Sequence, residues 1–304
     1  MKISSQKYLN FEVSRLGLGC ASAWGQRWFD ERSAISIVDR AIDLGVTVFD
    51  TGASYSNGNA EPRLGKALKG KPIENFFLST KTGTHISSSG RLYKDWSRST
   101  IFQQIDQSRK NLGIDTIPLV YLHGPGAEDL KGELFETLRE IQARNWVRRF
   151  GVNSFDDSVL KIVGAVDIID VVMLDYSLLR VDRVHLIDEL RAAGKIVVAG
   201  AALANQLYAP KFLLPKSKAD IWYLLRALKG YKKEYLRARR LRFLRNVPGW
   251  TPAQIAIAFV LRNEMVATSM FSTTRLEHLE ENVAAVFKPL PEEVVKALLH
   301  NSVC

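Results

Sequence analysis

The stretch RSAISIVDRAIDLGVTVFD (32–50) contains the two building blocks that recur along the whole chain. Its first part (32–44) places apolar residues at helical spacing, and Gly45 follows at a position where a helix commonly ends. Its second part, VTVFD (46–50), is short, β-branched and almost continuously apolar. Such a run is typical of a strand that is buried on both faces of a parallel sheet. The stretch therefore predicts a helix followed by a buried parallel strand.

Seven further strand-like runs share these properties, and helix-like runs lie between them. In chain order the eight predicted strands are RLGLGCA (15–21), VTVFD (46–50), FFLSTK (76–81), LVYLH (119–123), RFGVN (149–153), VVMLD (171–175), KIVVAG (195–200) and VATSMF (266–271). The predicted helices are 32–44, 99–112, 134–146, 184–193 and 252–261. Eight strands that alternate with helices within 304 residues predict an α/β fold, the closed (β/α)8 TIM barrel.

An open doubly wound sheet is the alternative fold. It would carry G-x-G-x-x-G after its first strand, but here Gly17 and Gly19 lack a third glycine at the required spacing. No break in composition marks a second domain, so 1–304 is predicted to be a single barrel domain. The segment 205–249 is too long for a bare connection. We predict that it adds an enlarged basic helical insertion after the seventh strand, over the barrel mouth.

The bulk composition is that of a soluble globular protein. Apolar residues make up 46% of the chain and charged residues 24%, and no apolar run approaches the length that spans a bilayer. The first residues contain no apolar segment typical of a signal peptide. The two cysteines, Cys20 and Cys304, form neither a disulfide framework nor a metal-binding spacing. These features predict a cytoplasmic protein with free thiols, without a metal and without a membrane partner.

The net charge of +10 is concentrated in one segment. Residues 211–245 contain twelve lysines and arginines against two acids, Asp220 and Glu234. The interpretation that we favour is a pair of solvated helices. The alternatives are attraction of an anionic substrate or of a cofactor phosphate, and a nucleic-acid or membrane surface. We predict that the segment lies beside the site and attracts small anions, without a nucleic-acid partner.

Four polar residues follow or close the predicted strands. Asp50 closes the second strand, Tyr55 follows it, and Lys81 and His123 close the third and fourth strands. A nearby ammonium lowers the pKa of a phenol, which is otherwise about 10, and a carboxylate can hold that ammonium. An imidazole can orient a carbonyl oxygen or relay a proton. Each residue alone has an ordinary structural explanation, but the four together suit protonation of a carbonyl while a hydride reaches its carbon.

Five segments resemble the aldo-keto reductase family from about Arg15 to Val286. They are FDTGASYSNGNAEPRLGKAL (49–68), LSTKTG (78–83), VYLHGPG (120–126), FGVNSF (150–155) and TTRLEHLEEN (273–282). The resemblance implies that Asp50, Tyr55, Lys81 and His123 are the catalytic residues, with Tyr55 as general acid. It also implies an NADPH-dependent oxidoreductase that reduces an aldehyde or ketone, or oxidises an alcohol in the reverse direction.

The resemblance is weaker where the family holds the nicotinamide ring. Many members have Ser-Asn after the fifth strand, and this chain has Asn153-Ser154 in reversed order. Many have a glutamine in the sixth strand, and this chain has Met173, which cannot donate a hydrogen bond. After the seventh strand Gly200-Ala201 replaces the usual aromatic residue. The nicotinamide seat is therefore predicted to be rebuilt, unless a neighbour compensates for each change.

The same resemblance places the rest of the cofactor near the eighth strand. Ser272 and Thr273, with the start of the next helix, can bind a phosphate, although the family commonly has a glycine there. Arg275 is predicted to reach a 2′-phosphate, and Glu281 with Asn282 matches the adenine contacts. The further residues predicted to contact the cofactor are Cys20, Asp50, Leu203 and His278.

Two other functions remain open at the level of sequence. The rebuilt nicotinamide seat is also compatible with a nucleotide-binding barrel that senses redox state or joins a complex, with little turnover. Nucleic-acid binding through 211–245 is a weaker possibility. The sequence names no substrate beyond a small carbonyl compound or alcohol, and an anionic one is included among the options.

Overall fold

Twelve strands lie in the part of the chain that the computed structural model describes, which comprises residue 3 and residues 5–8, 11–204 and 232–302. In chain order they are β1 (Ser5–Tyr8), β2 (Phe11–Ser14), β3 (Leu16–Gly19), β4 (Val48–Asp50), β5 (Phe77–Thr82), β6 (Thr84–Ile86), β7 (Leu92–Lys94), β8 (Ile117–His123), β9 (Val147–Asn153), β10 (Ile169–Leu174), β11 (Ile196–Ala199) and β12 (Val266–Phe271). Eight of them pair side by side in parallel and close into a barrel, in the order β10-β11-β12-β3-β4-β5-β8-β9.

Helices cover the outside of this barrel. In chain order the described helices are α1 (Glu31–Asp43), α2 (Ala60–Leu68), α3 (Arg98–Leu112), α4 (Gly132–Ala143), α5 (Asp157–Val163), α6 (Val184–Ala192), α7 (Lys232–Arg240), α8 (Pro252–Leu261), α9 (Leu276–Ala284) and α10 (Glu292–Ser302). Their starts follow local rules: the Asp30 side chain accepts from Ser33 N before α1, and Thr251 accepts from Gln254 N before α8.

The predicted barrel is confirmed. Each of the eight predicted strands is a barrel strand, and each boundary agrees to within two residues. The alternative doubly wound sheet is wrong, because β12 pairs with β3 (Ser269 with Leu16) and leaves no open edge. The predicted insertion (205–249) and the basic segment (211–245) lie partly outside the described residues. Their described part consists of α7 and the short helical turn that follows it. The single domain over 1–304 stays a prediction.

Two antiparallel hairpins were not predicted. The first, β1–β2, precedes the barrel, and its Val13 packs against Val48 and Phe77 in a cluster of apolar side chains inside the barrel. It therefore covers the end of the barrel at which the strands begin. The second, β6–β7, follows β5 directly and lies at the opposite end. In parallel barrels this opposite end, where the strands finish, carries the active site.

Within the described residues no helix is long and apolar enough to cross a membrane. The cytoplasmic location stays a prediction.

Candidate active site

A buried ion pair lies where β4 and β5 end. The Lys81 ammonium donates to the carboxylate of Asp50 and, at 2.8 Å, to the carbonyl of Thr51. The Ser79 hydroxyl donates to the second Asp50 oxygen at 2.7 Å. Lys81 is 2% exposed and Asp50 is 6% exposed. Burial lowers the pKa of Lys81, but Asp50 and Tyr55 raise it by more, so the pKa lies above its usual value and the ammonium persists at neutral pH.

Tyr55 lies on this pair, in the loop that follows β4. The Lys81 nitrogen lies 4.7 Å from the centre of the Tyr55 ring, so its charge acts on the phenol. The ring of His123, at the end of β8, meets the Tyr55 ring edge-on, with 5.5 Å between the ring centres. The four residues predicted to be catalytic therefore lie in one cluster at the end of the barrel where the strands finish.

The pKa of Tyr55 corrects one expectation from the sequence. Burial raises this pKa above its usual value, and the charge of Asp50 raises it further, while the charge of Lys81 lowers it by less. The predicted net lowering was therefore wrong, because the sequence shows the neighbouring charge but not how much water the phenol loses. At neutral pH the phenol is protonated, which is the form that can donate a proton.

His123 is neutral at physiological pH. Burial lowers its pKa to about 3, and the charges of Lys81 and Lys94 contribute in the same direction. A neutral imidazole keeps one N–H as a hydrogen-bond donor. The ring can therefore orient a carbonyl oxygen beside Tyr55 without adding a positive charge of its own.

The residues predicted for the nicotinamide seat are adjacent in the structure. The Asn153 amide donates to the carbonyl oxygen of Met173 at 3.5 Å, across the pair β9–β10. The hydroxyl of Ser154 is buried and accepts from the backbone of Asp156 at 3.2 Å, so it faces its own loop. Of the side chains of Asn153 and Ser154, that of Asn153 is therefore the one that contacts Met173.

Met173 and Gly200 occupy one shared space. A Cβ atom added at Gly200 would lie 3.1 Å from Cγ of Met173, which is tighter than ordinary packing. The next residue, Ala201, has φ of +54°, a left-handed conformation that costs a residue with a Cβ some strain. The two departures from the family pattern are therefore coupled, because the methionine fills the position that a larger residue at 200 would need.

A cavity of about 430 Å³ lies where β12 ends and α9 begins. The predicted cofactor residues that line it are Leu203, Ser272, Thr273, Arg275, His278, Glu281 and Asn282. Trp24 and Thr251 also line it, and neither was predicted. Thr251 was recognisable from the sequence only as the residue that opens a helix, and its position beside Glu281 depends on the fold.

Hydrogen bonds within this cavity leave one acceptor without a partner. Asn282 is 3% exposed, and among the described residues its Oδ1 has no hydrogen-bond partner. The Glu281 carboxylate accepts from the Thr251 hydroxyl. Ser272 donates to the carbonyl of Gly19 at 2.7 Å, so its hydroxyl hydrogen is already used. The unpaired oxygen of Asn282 suits a ligand that presents an N–H donor, such as an adenine amino group.

The charged rim of the cavity is open to solvent. Arg275 has a side chain that is 63% exposed and is paired with Glu277 at 3.4 Å, and His278 is exposed beside it. The Thr273 hydroxyl accepts from Arg275 N at 3.1 Å, which closes a local turn just before α9.

Cys20 differs from the other predicted cofactor residues, because its thiol is fully buried and burial raises its pKa. The backbone of Cys20 is buried as well, and its N–H and carbonyl are bonded to Asp50 and Thr51, so the structure does not bring Cys20 to the cavity surface.

Groups of acidic, histidine or cysteine side chains that could hold a metal ion are absent from the described segments.

Comparison with known families agrees with this barrel and its cluster. The model of the Aldo/keto reductase family matches residues 15–300, and the chain belongs to this family of oxidoreductases.

Individual relatives share the whole length of the chain. An uncharacterised oxidoreductase of Bacillus subtilis, YqkF, is 28% identical over 296 residues, which cover 95% of this chain and 92% of the relative. An NADH-specific methylglyoxal reductase of Escherichia coli is 25% identical over 303 residues and covers 90% of each chain. The holo-form structure of an aldo-keto reductase from Bacillus halodurans superposes with a TM-score of 0.82 at 26% identity, over 99% of this chain and 96% of that one.

Proposed function

We propose that this protein is an NADPH-dependent carbonyl reductase that converts an aldehyde or ketone to an alcohol, with Tyr55 as the general acid. The observation that carries the proposal is the buried series Asp50–Lys81–Tyr55 beside the neutral ring of His123. Oxidation of an alcohol is the same chemistry in reverse.

Tyr55 supplies the proton that the reduction consumes. A bound nicotinamide cofactor supplies the hydride to the carbonyl carbon. The carbonyl oxygen, on which negative charge develops, accepts the proton of the Tyr55 hydroxyl. The resulting phenolate later regains a proton from solvent. Lys81 stabilises this phenolate through its charge. Because Asp50 and Thr51 bind the ammonium, Lys81 needs little reorganisation when the charge arrives.

His123 orients the substrate in this proposal. Its ring lies edge-on to Tyr55, so an oxygen that accepts from the imidazole N–H also lies close to the phenol. A protonated ring would compete with Tyr55 as a proton donor. The lowered pKa of His123 removes that competition in the physiological range.

The cavity at the end of β12 is the proposed site of the adenosine part of the cofactor. Asn282 would accept a hydrogen bond from adenine through its unpaired oxygen. Arg275 is exposed at the rim and only weakly paired, so it is available to a 2′-phosphate. The proposal of NADPH rather than NADH rests on this arginine. The name of the Escherichia coli relative, in contrast, specifies NADH for that protein.

A nucleotide-binding sensor is the second candidate, and the rebuilt nicotinamide seat favours it. Met173 in place of a hydrogen-bonding residue, and the strained Ala201, leave the ring without an evident polar anchor other than Asn153. Stopped-flow mixing with NADPH and a panel of aldehydes separates the two candidates. Loss of the reduced-nicotinamide absorbance on mixing supports the reductase. Tight NADPH binding without hydride transfer to any aldehyde supports the sensor.

A further inference from the structure

The hairpin β6–β7 places an additional lysine at the active site. It begins three residues after Lys81, and Gly83 forms the bend with φ of +86°. The ring of Trp96 lies where a Cβ of Gly83 would be, so the bend requires glycine and the ring packs tightly on it. In the hairpin Thr84 pairs with Lys94, which brings Lys94 back to the end of β5.

The ammonium of Lys94 contacts the backbone of a residue in the catalytic cluster. It donates to the carbonyl oxygen of His123 and, at 2.6 Å, to the hydroxyl of Thr84. It also lies 5.9 Å from the centre of the Trp96 ring. The side chain as a whole is exposed, but its charged end is directed toward the barrel mouth. An ammonium has three hydrogen-bond donors, and two partners lie in the described chain, so one donor remains for a ligand.

The ammonium of Lys94 is not ion-paired within the described residues. No acid of the described residues forms an ion pair with Lys94. Burial lowers the pKa of Lys94, and the charge of Asp129 raises it by less. The Asp129 carboxylate itself accepts from the backbone of Gly126 at 2.8 Å. A positive charge that acts on His123 and that no described side chain pairs with favours an anion at this place.

We propose that Lys94 binds a carboxylate of the substrate, so that the enzyme prefers carbonyl compounds that carry a carboxylate a few bonds from the carbonyl group. This inference rests on the proposed reductase function. The carbonyl oxygen would lie between Tyr55 and His123, and Lys94 lies on the His123 side of that position. An ammonium there determines which substrates bind well, while the proton still comes from Tyr55.

A purely structural role is the competing explanation. Lys94 ties the hairpin to the end of β8, and this tie alone could account for its contacts. The two roles differ in what they predict for charged and uncharged substrates. Loss of a tie would disturb the reduction of every substrate to a similar degree, whereas loss of an anchor would act on the anionic substrate.

The test compares succinic semialdehyde with its methyl ester, which has the same carbonyl but no charge. In the native enzyme we expect a lower KM for the acid than for the ester. In Lys94→Met the ratio of the KM for the acid to the KM for the ester should rise roughly fivefold to tenfold, a range that allows for the partial exposure of the site. Lys94→Arg should restore much of the native ratio. Arg91→Met, which removes the same charge from the exposed turn of the same hairpin, should keep the native ratio.

Several results would overturn the inference. A native KM that is equal for acid and ester, or an equal rise for both in Lys94→Met, would leave Lys94 with a structural role only. If neither aldehyde is reduced, the proposed function is decided by the wider aldehyde panel, and the anion site is tested by calorimetry with succinate. Succinate binding that is lost in Lys94→Met and retained in Arg91→Met would support the site, and no binding to the native protein would refute it.

Discussion

The barrel mouth has two halves that are built on different principles. The acid–base half comprises Asp50, Tyr55, Lys81 and His123, and the cofactor half comprises Asn153, Met173, Gly200 and Arg275.

In the acid–base half a buried charge meets an opposite charge, as in the pair of Lys81 and Asp50. In the nicotinamide part of the cofactor half, Met173 and Gly200 share space by packing. Removing one partner of a buried charge pair leaves an uncompensated charge, whereas volume can be exchanged between neighbours. The family pattern can therefore change in the cofactor half while the acid–base half stays intact.

The largest expected effect is on the general acid. Tyr55→Phe removes the hydroxyl and almost no volume, so turnover should fall by about 10²–10⁴-fold while the Kd for NADPH changes little. Single-turnover kinetics and a fluorescence titration measure the two quantities. The matched control is Tyr93→Phe, at an exposed tyrosine of the β6–β7 hairpin, which should keep native turnover. Native turnover in Tyr55→Phe would remove the acid–base half from the mechanism.

The next effect concerns the buried ion pair. Lys81→Met leaves the Asp50 carboxylate buried without its counter-ion, and we expect the free energy of unfolding to fall by about 3–5 kcal/mol. Urea unfolding measures this loss. The control is Lys66→Met, which breaks an exposed pair with Glu31 and should cost less than about 1 kcal/mol. Equal losses in both variants would contradict the claim that the acid–base half depends on a buried charge pair.

Cofactor preference tests the phosphate end of the cofactor half. Arg275→Ala should reduce the preference for NADPH over NADH by roughly tenfold, since charged hydrogen bonds contribute about 1.5–3 kcal/mol and the exposed arginine realises the lower part of that range. The ratio of kcat/KM for the two cofactors is the measurement. A native enzyme that uses both equally well would remove the role proposed for Arg275.

A smaller effect is expected at the nicotinamide seat. Met173 is 5% exposed and packs against Gly200, so Met173→Gln would bury an amide in a space shaped for a thioether. We expect carbonyl reduction to slow and the free energy of unfolding to fall by about 1–3 kcal/mol. Faster reduction in this variant would show instead that the missing carboxamide contact limits the native enzyme.

The smallest effect on turnover is expected from the protonation of His123. Its pKa is lowered from 6.5 to about 3, so turnover should show no break from this ring between about pH 5 and 8. The unfolded chain binds this proton below about pH 6.5, whereas the folded chain does not until about pH 3. The free energy of unfolding should therefore fall as the pH decreases through that window. A His123→Gln variant should lose this part of the slope in urea unfolding.

The sequence was sufficient for the barrel because each barrel strand is buried on both faces. This burial produces apolar runs such as VTVFD and LVYLH that end in a polar residue, and in a parallel barrel those ends converge. The clustering of Asp50, Lys81 and His123 followed from that geometry together with the family resemblance.

Three features depended on contacts that no local pattern contains. The raised pKa of Tyr55 results from the loss of water around the phenol, which only the packed structure shows. The approach of Lys94 to His123 joins residues that are 29 positions apart through an unpredicted hairpin. The shared space of Met173 and Gly200 lies across two strands. In the sequence, Met173 therefore looked only like the loss of a glutamine, and Gly200 only like the loss of an aromatic residue.

The closure of the barrel has a consequence for synthesis of the protein. The Ser272 hydroxyl, just after β12, bonds to Gly19 at the end of β3, a contact that spans 253 residues. At about 5–20 residues per second, the ribosome needs roughly 13–50 seconds to make the intervening chain. During that time one edge of β3 has no strand beside it. The nascent chain is therefore expected to depend on chaperones until β12 has emerged.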